Sequence, residues 1–181
     1  HIAREMKVTK GFIYYYYKSK ADIFYELHAR AMEDMRHAIL TSIPRDATPR
    51  EKLRAAMAAN IRFIEEGPVS GAIAARTAWL VVNRKFPAPY RKKLTEQRDQ
   101  LRKIFAGILE EGIRSGVYQP GEVDFVVRII MGALTWLPTW YRPGGRLAPD
   151  DVGEIVARMM RGPFEVSEAG RIRSLNGRRT L

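Results

Sequence analysis

The 181-residue chain contains no cysteine and only three histidines. Without cysteine it can form neither a disulfide framework nor a thiolate metal site, and no two histidines have the i, i+4 spacing of a paired-imidazole zinc site. No apolar run reaches the ~18 residues of a membrane-spanning helix, and nothing at the start reads as a signal peptide. We therefore expect a cytoplasmic protein with no membrane contact, no metal site and no cofactor.

Positive charge is what the chain has in excess. It carries 31 Lys and Arg against 20 Asp and Glu, which gives a net charge of +11 and a pI near 10.1. This balance favours a polyanionic partner, although charge alone would equally suit a membrane surface. An enzyme would need a nucleophile with its base, a phosphate-cradling loop or paired acids, and none occurs at a recognisable spacing. We predict a binding protein that is not an enzyme.

Proline and glycine punctuate the sequence, and between them apolar residues recur at helical spacing. We find no strand-type alternation of any length and no internal repeat. Helices are predicted at 19–43, 49–66, 69–83, 90–115, 122–140 and 149–161. Thr48 is expected to cap the second of these, with Glu51 in its acidic first turn. In the first of these, Ile23, Leu27, Met35 and Ile39 are expected to share one inward-facing side. The sequence thus predicts an all-α fold.

The stretch from residue 2 to residue 22 carries the most specific pattern. Thr9 stands where an N-cap belongs, and Gly11 removes the side chain that would keep a helix backbone away from a phosphate. Ile13 and Tyr17 share a face and are expected to be core. The remaining faces carry Lys10, Phe12, Tyr14, Tyr15 and Tyr16. Their rings and hydroxyls suit thymine methyl groups and phosphate oxygens, so this stretch is typical of the DNA-reading end of a helix-turn-helix.

A second helix start follows immediately. Ser19 is expected to cap the new helix, and Lys20 stands in its first turn. A lysine at this position opposes the helix dipole, so an anion is the expected partner.

The residues IAREMKVTKGFIYYYYKSKADIF resemble the recognition-helix signature of the TetR family of bacterial transcriptional repressors, roughly IA-x-x-AGVSKGTLYYYF-x-SKE-x-L. The resemblance implies an N-terminal helix-turn-helix domain followed by a helical ligand-binding and dimerisation domain. It implies DNA contacts by Thr9, Lys10, Gly11, Phe12, Tyr14 and Tyr15, with Lys20 holding a backbone phosphate. Three departures stand out: Met6-Lys7 replaces Ala-Gly, Phe12 replaces a small polar residue, and Tyr17 replaces Phe. Phe12 exchanges a base hydrogen bond for an apolar contact, which bears on the operator sequence.

The same resemblance suggests domain boundaries. Family members have a full helix and most of a second before this point, so we expect the first helix to be absent from this sequence. Residues 1–43 are predicted to form the helix-turn-helix domain with its connecting helix, 44–166 the ligand-binding and dimerisation domain, and 167–181 a basic tail.

The segment FVVRIIMGALTWLPTWYRPGG places Gly132 and Ala133 one turn before Trp136, which would let another helix approach closely. A helix this apolar needs a partner, so we expect a homodimer through the helices around 122–140 and 149–161. Trp136 to Gly145 is similar to the C-terminal part of TetR-family members that respond to acyl-CoA thioesters. We therefore expect a small hydrophobic effector, with an acyl-CoA as the first candidate.

The pocket for this effector is predicted to be lined by Phe63, Arg76, Trp79, Phe105, Leu109 and Trp136. Two alternatives stay open for these residues: Trp136 could belong to the dimer core, and Arg76 could form an ion pair or lie at the surface. Eight cationic residues between Arg84 and Lys103 suggest an entrance for coenzyme A phosphates, with Arg91, Arg98 and Arg102 near one face. A solvated helix surface explains the same charges.

Together these features predict a repressor. Its dimer would place two recognition helices roughly 34–36 Å apart in successive major grooves of a near-palindromic operator. The effector would act on the connecting helix and release the DNA. A multidrug or lipophile sensor that regulates efflux, and a non-specific architectural DNA-binding protein, are the alternatives.

Overall fold

The computed structural model describes residues 2–67, 86–118 and 120–159. In these ranges the chain forms α1 (Ile2–Glu5), α2 (Lys10–Tyr16), α3 (Lys20–Ser42), α4 (Pro49–Glu66), α5 (Ala88–Arg114), α6 (Val123–Trp140) and α7 (Pro149–Met159). The predicted all-α class is confirmed. The predicted helix at 69–83 and the basic tail lie outside the described residues. None of the helices in the described ranges has the length and apolar character needed to cross a bilayer.

The helix starts follow from local capping. The Thr9 hydroxyl accepts a hydrogen bond from the Phe12 N–H at 3.1 Å, and the Ser19 hydroxyl accepts one from the Asp22 N–H at 3.2 Å. At the start of α4, Thr48 and Glu51 satisfy each other's backbone N–H groups in a capping box. The caps predicted at these three starts are confirmed, because each depends only on residues within one turn.

The core lies between α3, α4, α5, α6 and α7. Its most deeply buried side chains include Ile39, Leu53, Met57, Phe105 and Ile130. α7 packs directly on α4 at Gly153, where a Cβ atom would lie only 3.2 Å from the backbone nitrogen of Ala58. Met32, Met35 and Ile39 of α3 belong to this core, so the C-terminal half of α3 packs against the helices that follow it.

The inward face of α3 differs from the prediction. Leu27 is 50% exposed, and the adjacent His28 is buried in its place, with Ala31, Met32, Met35 and Ile39 continuing the same face. Successive residues of a helix point about 100° apart, so the face that contains Leu27 differs from the buried face that contains His28. The prediction for Leu27 was wrong, and it could not anticipate a buried histidine.

His28 is expected to make the stability of the protein depend on pH. Neither ring nitrogen has a hydrogen-bond partner among the described residues. Burial, aided by the nearby positive charge of Arg98, lowers the pKa of His28 from 6.5 to about 4. Below pH 6.5 His28 binds a proton in the unfolded chain but stays neutral in the folded chain. The free energy of unfolding is therefore highest above pH 6.5 and falls towards pH 4. The loss amounts to roughly 3 kcal/mol at pH 4.

This expectation is measured by urea unfolding between pH 4 and 7. His28→Leu should remove the contribution, so the difference in unfolding free energy between wild type and variant should change by roughly 3 kcal/mol across the range. His37→Asn is the matched control, since His37 is exposed on the same helix. Parallel pH profiles for wild type and His28→Leu would contradict the expectation.

Candidate functional site

The predicted DNA-reading residues form the outer surface of α2. No residue of α2 is fully buried, and Phe12, Tyr14 and Tyr15 are 49%, 53% and 83% exposed. Ile13 and Tyr17, predicted as core, are half-buried. Thr9, Lys10, Gly11 and Lys20 are exposed as well. All seven predicted DNA contacts are therefore accessible to a partner.

The aromatic rings on α2 contact one another. Tyr16 lies edge-on to Phe12, with ring centroids 5.2 Å apart, and edge-on to Tyr15 at 5.1 Å. Tyr16 was not among the predicted DNA contacts, yet it supports two of them. Ring contacts that exist before a partner binds reduce the conformational entropy that these side chains lose on binding.

The turn before α2 explains one of the departures from the family signature. Lys7 has a positive φ of 54°, in the left-handed region that costs an L-residue about 1–2 kcal/mol. The family has glycine here, which takes this conformation freely. Two hydrogen bonds hold the turn, from the Lys7 N–H to the Arg4 carbonyl at 3.1 Å and from the Val8 N–H to the Ala3 carbonyl at 2.9 Å. Lys7 thus adds an exposed positive charge next to the exposed face of α2, at the energetic cost of its positive φ.

An apolar groove of about 720 Å³ runs between α2 and α3. Lys10, Tyr14 and Lys20 lie on it, so the groove brings three predicted DNA contacts together. Its remaining lining is Ala3, Ile13, Ile23, Phe24 and Leu27. The exposure of Leu27 is explained by its position on this groove.

The first turn of α3 is joined to the first turn of α5. The Tyr90 hydroxyl donates to the Asp22 carboxylate, which lowers the pKa of Asp22 and raises that of Tyr90. The Tyr90 ring also contacts Tyr25 at 5.1 Å and Phe86 at 5.7 Å between centroids. Lys93 lies 5.6 Å from the Tyr25 ring centre. This junction was not predicted, because its two helices are far apart in sequence.

The predicted effector-binding residues fall into separate places. Phe105 and Leu109 are buried in the core, and Phe63 is partly buried against it. Trp136 is 57% exposed on the outer face of α6. Arg76 and Trp79 lie outside the described residues.

A second groove, of about 310 Å³, lies between α5 and α6. Arg98 and Arg102 of the predicted basic group line it, and Arg128 joins them from α6. Arg91 lies apart and donates to the Phe86 carbonyl at 3.0 Å. Arg102 pairs with Asp99 and Asp124, and Arg128 pairs with Asp124 at 3.0 Å. The groove is therefore lined by three guanidinium groups and the Asp99 carboxylate, and two of the guanidinium groups pair with Asp124 beside it.

One face of α6 is apolar and exposed. Phe125, Ile129, Trp136 and Trp140 are 63%, 47%, 57% and 56% exposed and recur at helical spacing. Gly132 lies on the same face, and a Cβ atom there would have no neighbour within 4 Å. Ile155 of α7 is 39% exposed. We call Phe125, Ile129, Gly132, Trp136 and Trp140 the α6 stripe.

The exposed aromatic surface of α2, followed by further helices in the described residues, is the arrangement expected of a DNA-binding regulator of the helix-turn-helix class. A sequence profile described as "Tetracyclin repressor-like, C-terminal domain" matches residues 46–163. The chain belongs to this family, as the signature around α2 predicts.

Individual relatives agree with the assignment. The HTH-type transcriptional repressor KstR2 of Mycobacterium tuberculosis is 27% identical over 155 residues, covering 84% of this chain and 75% of the relative. The TetR-family regulator PfmR of Thermus thermophilus has a similar fold, with a TM-score of 0.74 at 24% identity over 87% of this chain and 84% of that one. AibR, solved with isovaleryl coenzyme A and operator DNA, gives a TM-score of 0.73 at 19% identity over 90% and 86%.

Proposed function

We propose that the protein is a cytoplasmic repressor of transcription that binds a near-palindromic operator as a homodimer and is released by a hydrophobic effector. The observation that carries this proposal is the exposed α2 surface. Tyr14 and Tyr15 present more than half of their surface on a seven-residue helix. Rings in this position suit base edges and phosphate oxygens in a major groove.

The α6 stripe supports the homodimer. Large apolar side chains lie on both sides of Gly132 there, and a two-fold axis would bring two such faces together. Burying this face would remove an exposed apolar patch of the kind that marks an interaction surface.

Ile129→Glu is expected to convert the dimer into a monomer. A carboxylate in the middle of the α6 stripe would be buried without a partner, which costs several kcal/mol in a symmetric interface because it occurs twice. Sedimentation equilibrium at micromolar concentration measures the change. Leu40→Glu is the control, since Leu40 is 44% exposed on α3 and lies outside the stripe. A dimer that persists in Ile129→Glu would argue against this interface.

For the effector we propose an acyl-CoA thioester. Support comes from the groove between α5 and α6, where Arg98, Arg102 and Arg128 present positive charge suited to phosphate groups. Support also comes from AibR, which was solved with isovaleryl coenzyme A. The apolar acyl group would be accommodated by the nearby core, which includes Phe105 and Leu109 and against which Phe63 packs. Arg76, Trp79 and Trp136 remain proposed contacts.

The experiment begins by selecting duplexes from a random pool with the full-length protein. A repressor should bind the enriched duplex at least ~10³-fold more tightly than random DNA, whereas an architectural protein should not. The enriched complex is then titrated with isovaleryl-CoA, free isovalerate and a cationic dye. Release by the thioester alone supports the acyl-CoA proposal, and release by the dye alone supports a multidrug sensor.

A further inference from the structure

α5 extends from the arginine-lined groove, the proposed effector site, to the start of α3, next to the proposed DNA contacts. Its first turn carries Tyr90, at the junction with α3, and two turns further on Arg98 lies in the arginine-lined groove. Eight residues of α-helix separate them by about 12 Å. A rotation or shift of α5 at the groove would therefore reach Tyr90 through a rigid element.

The partner of Tyr90 is the first turn of α3. Asp22 receives two restraints there: its N–H donates to the capping Ser19 hydroxyl, and its carboxylate accepts from the Tyr90 hydroxyl. Lys20, the proposed phosphate contact, is two residues before Asp22. A three-residue loop, 17–19, then connects this turn to α2. The position of Asp22 thus bears directly on Lys20 and on the reading helix.

The other contacts between α3 and α5 restrain the orientation of the first turn of α3 less closely. Phe24 and Phe86 are 6.0 Å apart between ring centroids, and Tyr25 lies beside Tyr90, but ring packing tolerates sliding. The Gln97 side chain donates to the Ala29 carbonyl at 3.4 Å, which is long for a hydrogen bond and lies two turns from the DNA end. The bond to Asp22 is charge-assisted, and so it is the stronger and more specific restraint.

We infer that Tyr90 is a positioning residue for DNA binding: its hydroxyl holds the first turn of α3, and with it Lys20, in the orientation that meets a DNA phosphate. The inference rests on the proposed function and extends it, because it places the link between effector groove and DNA on α5 in addition to α3. In this assignment Tyr90 acts through Asp22 and Lys20.

The test uses Tyr90→Phe, which keeps the ring contacts and removes the hydroxyl. Affinity is measured for the duplex selected by the wild-type protein, with thermal unfolding as a check on folding. Tyr25→Phe is the matched control, since it removes a hydroxyl from the neighbouring ring and leaves Asp22 untouched. Tyr90→Phe is expected to weaken binding about tenfold, as loss of a charge-assisted bond implies, with Tyr25→Phe unchanged.

The decisive comparison repeats Tyr90→Phe in a Lys20→Ala background. If Tyr90 acts through Lys20, the second substitution should cost less than about twofold there. Equal affinities for Tyr90→Phe and Tyr25→Phe, or losses from Tyr90→Phe and Lys20→Ala that multiply, would overturn the inference while the proposed function stands. Failure of the wild-type protein to enrich any duplex would overturn the proposed function and this inference together.

Discussion

Gly112→Ala is expected to destabilise the fold by about 3 kcal/mol, near the upper end of overpacking in a closed core. A Cβ atom at this position would lie 2.1 Å and 2.4 Å from two ring carbons of Tyr118. Both residues are buried. The ring cannot easily withdraw, because the N–H groups of Val117 and Tyr118 donate to the Gly112 carbonyl at 2.8 Å and 3.0 Å. The turn after α5 therefore requires glycine at position 112, because the Tyr118 ring occupies the space of a Cβ atom.

Urea unfolding of Gly112→Ala and of Gly107→Ala measures this effect against a control on the same helix. Gly107 is exposed, and a Cβ atom there would meet nothing within 4 Å. Alanine at this position should stabilise the protein by about 1 kcal/mol through helix propensity alone. The free energy of unfolding is expected to decrease in Gly112→Ala and to increase in Gly107→Ala. A stabilising or neutral Gly112→Ala would mean that the turn after α5 can rearrange at little cost.

Features that depend on one or two turns of chain could be predicted from the sequence. Thr9, Ser19 and Thr48 were identified as caps because a cap is recognised by its own residue type and the next few positions. The exposed aromatic face of α2 followed in the same way from Ile13 and Tyr17 sharing the opposite face. The family resemblance rests on the same short stretch of sequence around α2.

Features that depend on packing between helices could not be predicted. Tyr90 reaches Asp22 across 68 positions of sequence, and Arg128 joins Arg98 from a different helix. No periodicity within one helix contains this information. His28 shows the same limit at shorter range, since a one-residue change in the phase of α3 exchanges it with Leu27. Long-range polar contacts therefore had to come from the structure, and they include the contact on which the further inference rests.

The predicted effector pocket illustrates why residue type alone is insufficient. Phe105 and Trp136 are both large, aromatic and placed on apolar helices, yet Phe105 is fully buried and Trp136 is 57% exposed. The difference arises because α6 divides its apolar residues between two faces, with Val126, Val127, Ile130 and Leu134 turned towards the core. A helix that is apolar on both faces implies two partners, and only one of them is the core of the same chain.

Lys20→Ala and Tyr15→Ala are expected to weaken DNA binding in two different ways. Lys20 is proposed to contact a phosphate, so its loss should reduce affinity for the selected duplex and for random DNA by a similar factor. It should also reduce the slope of log affinity against log salt concentration by about 0.9. Tyr15, which is 83% exposed, is proposed to contact bases. Its loss should reduce the preference for the selected duplex by about 10- to 100-fold and leave the salt slope unchanged.

Fluorescence anisotropy at several salt concentrations distinguishes these outcomes, and Lys103→Ala serves as the charge control because Lys103 is exposed on α5. Loss of folding is not a competing explanation for Lys20→Ala. A cation in the first turn of α3 opposes the helix dipole, so its removal should stabilise the helix slightly while weakening DNA binding. Equal salt slopes for wild type and Lys20→Ala would remove Lys20 from the phosphate contacts. An unchanged preference in Tyr15→Ala would leave base reading to Phe12, Tyr14 and the exposed backbone at Gly11.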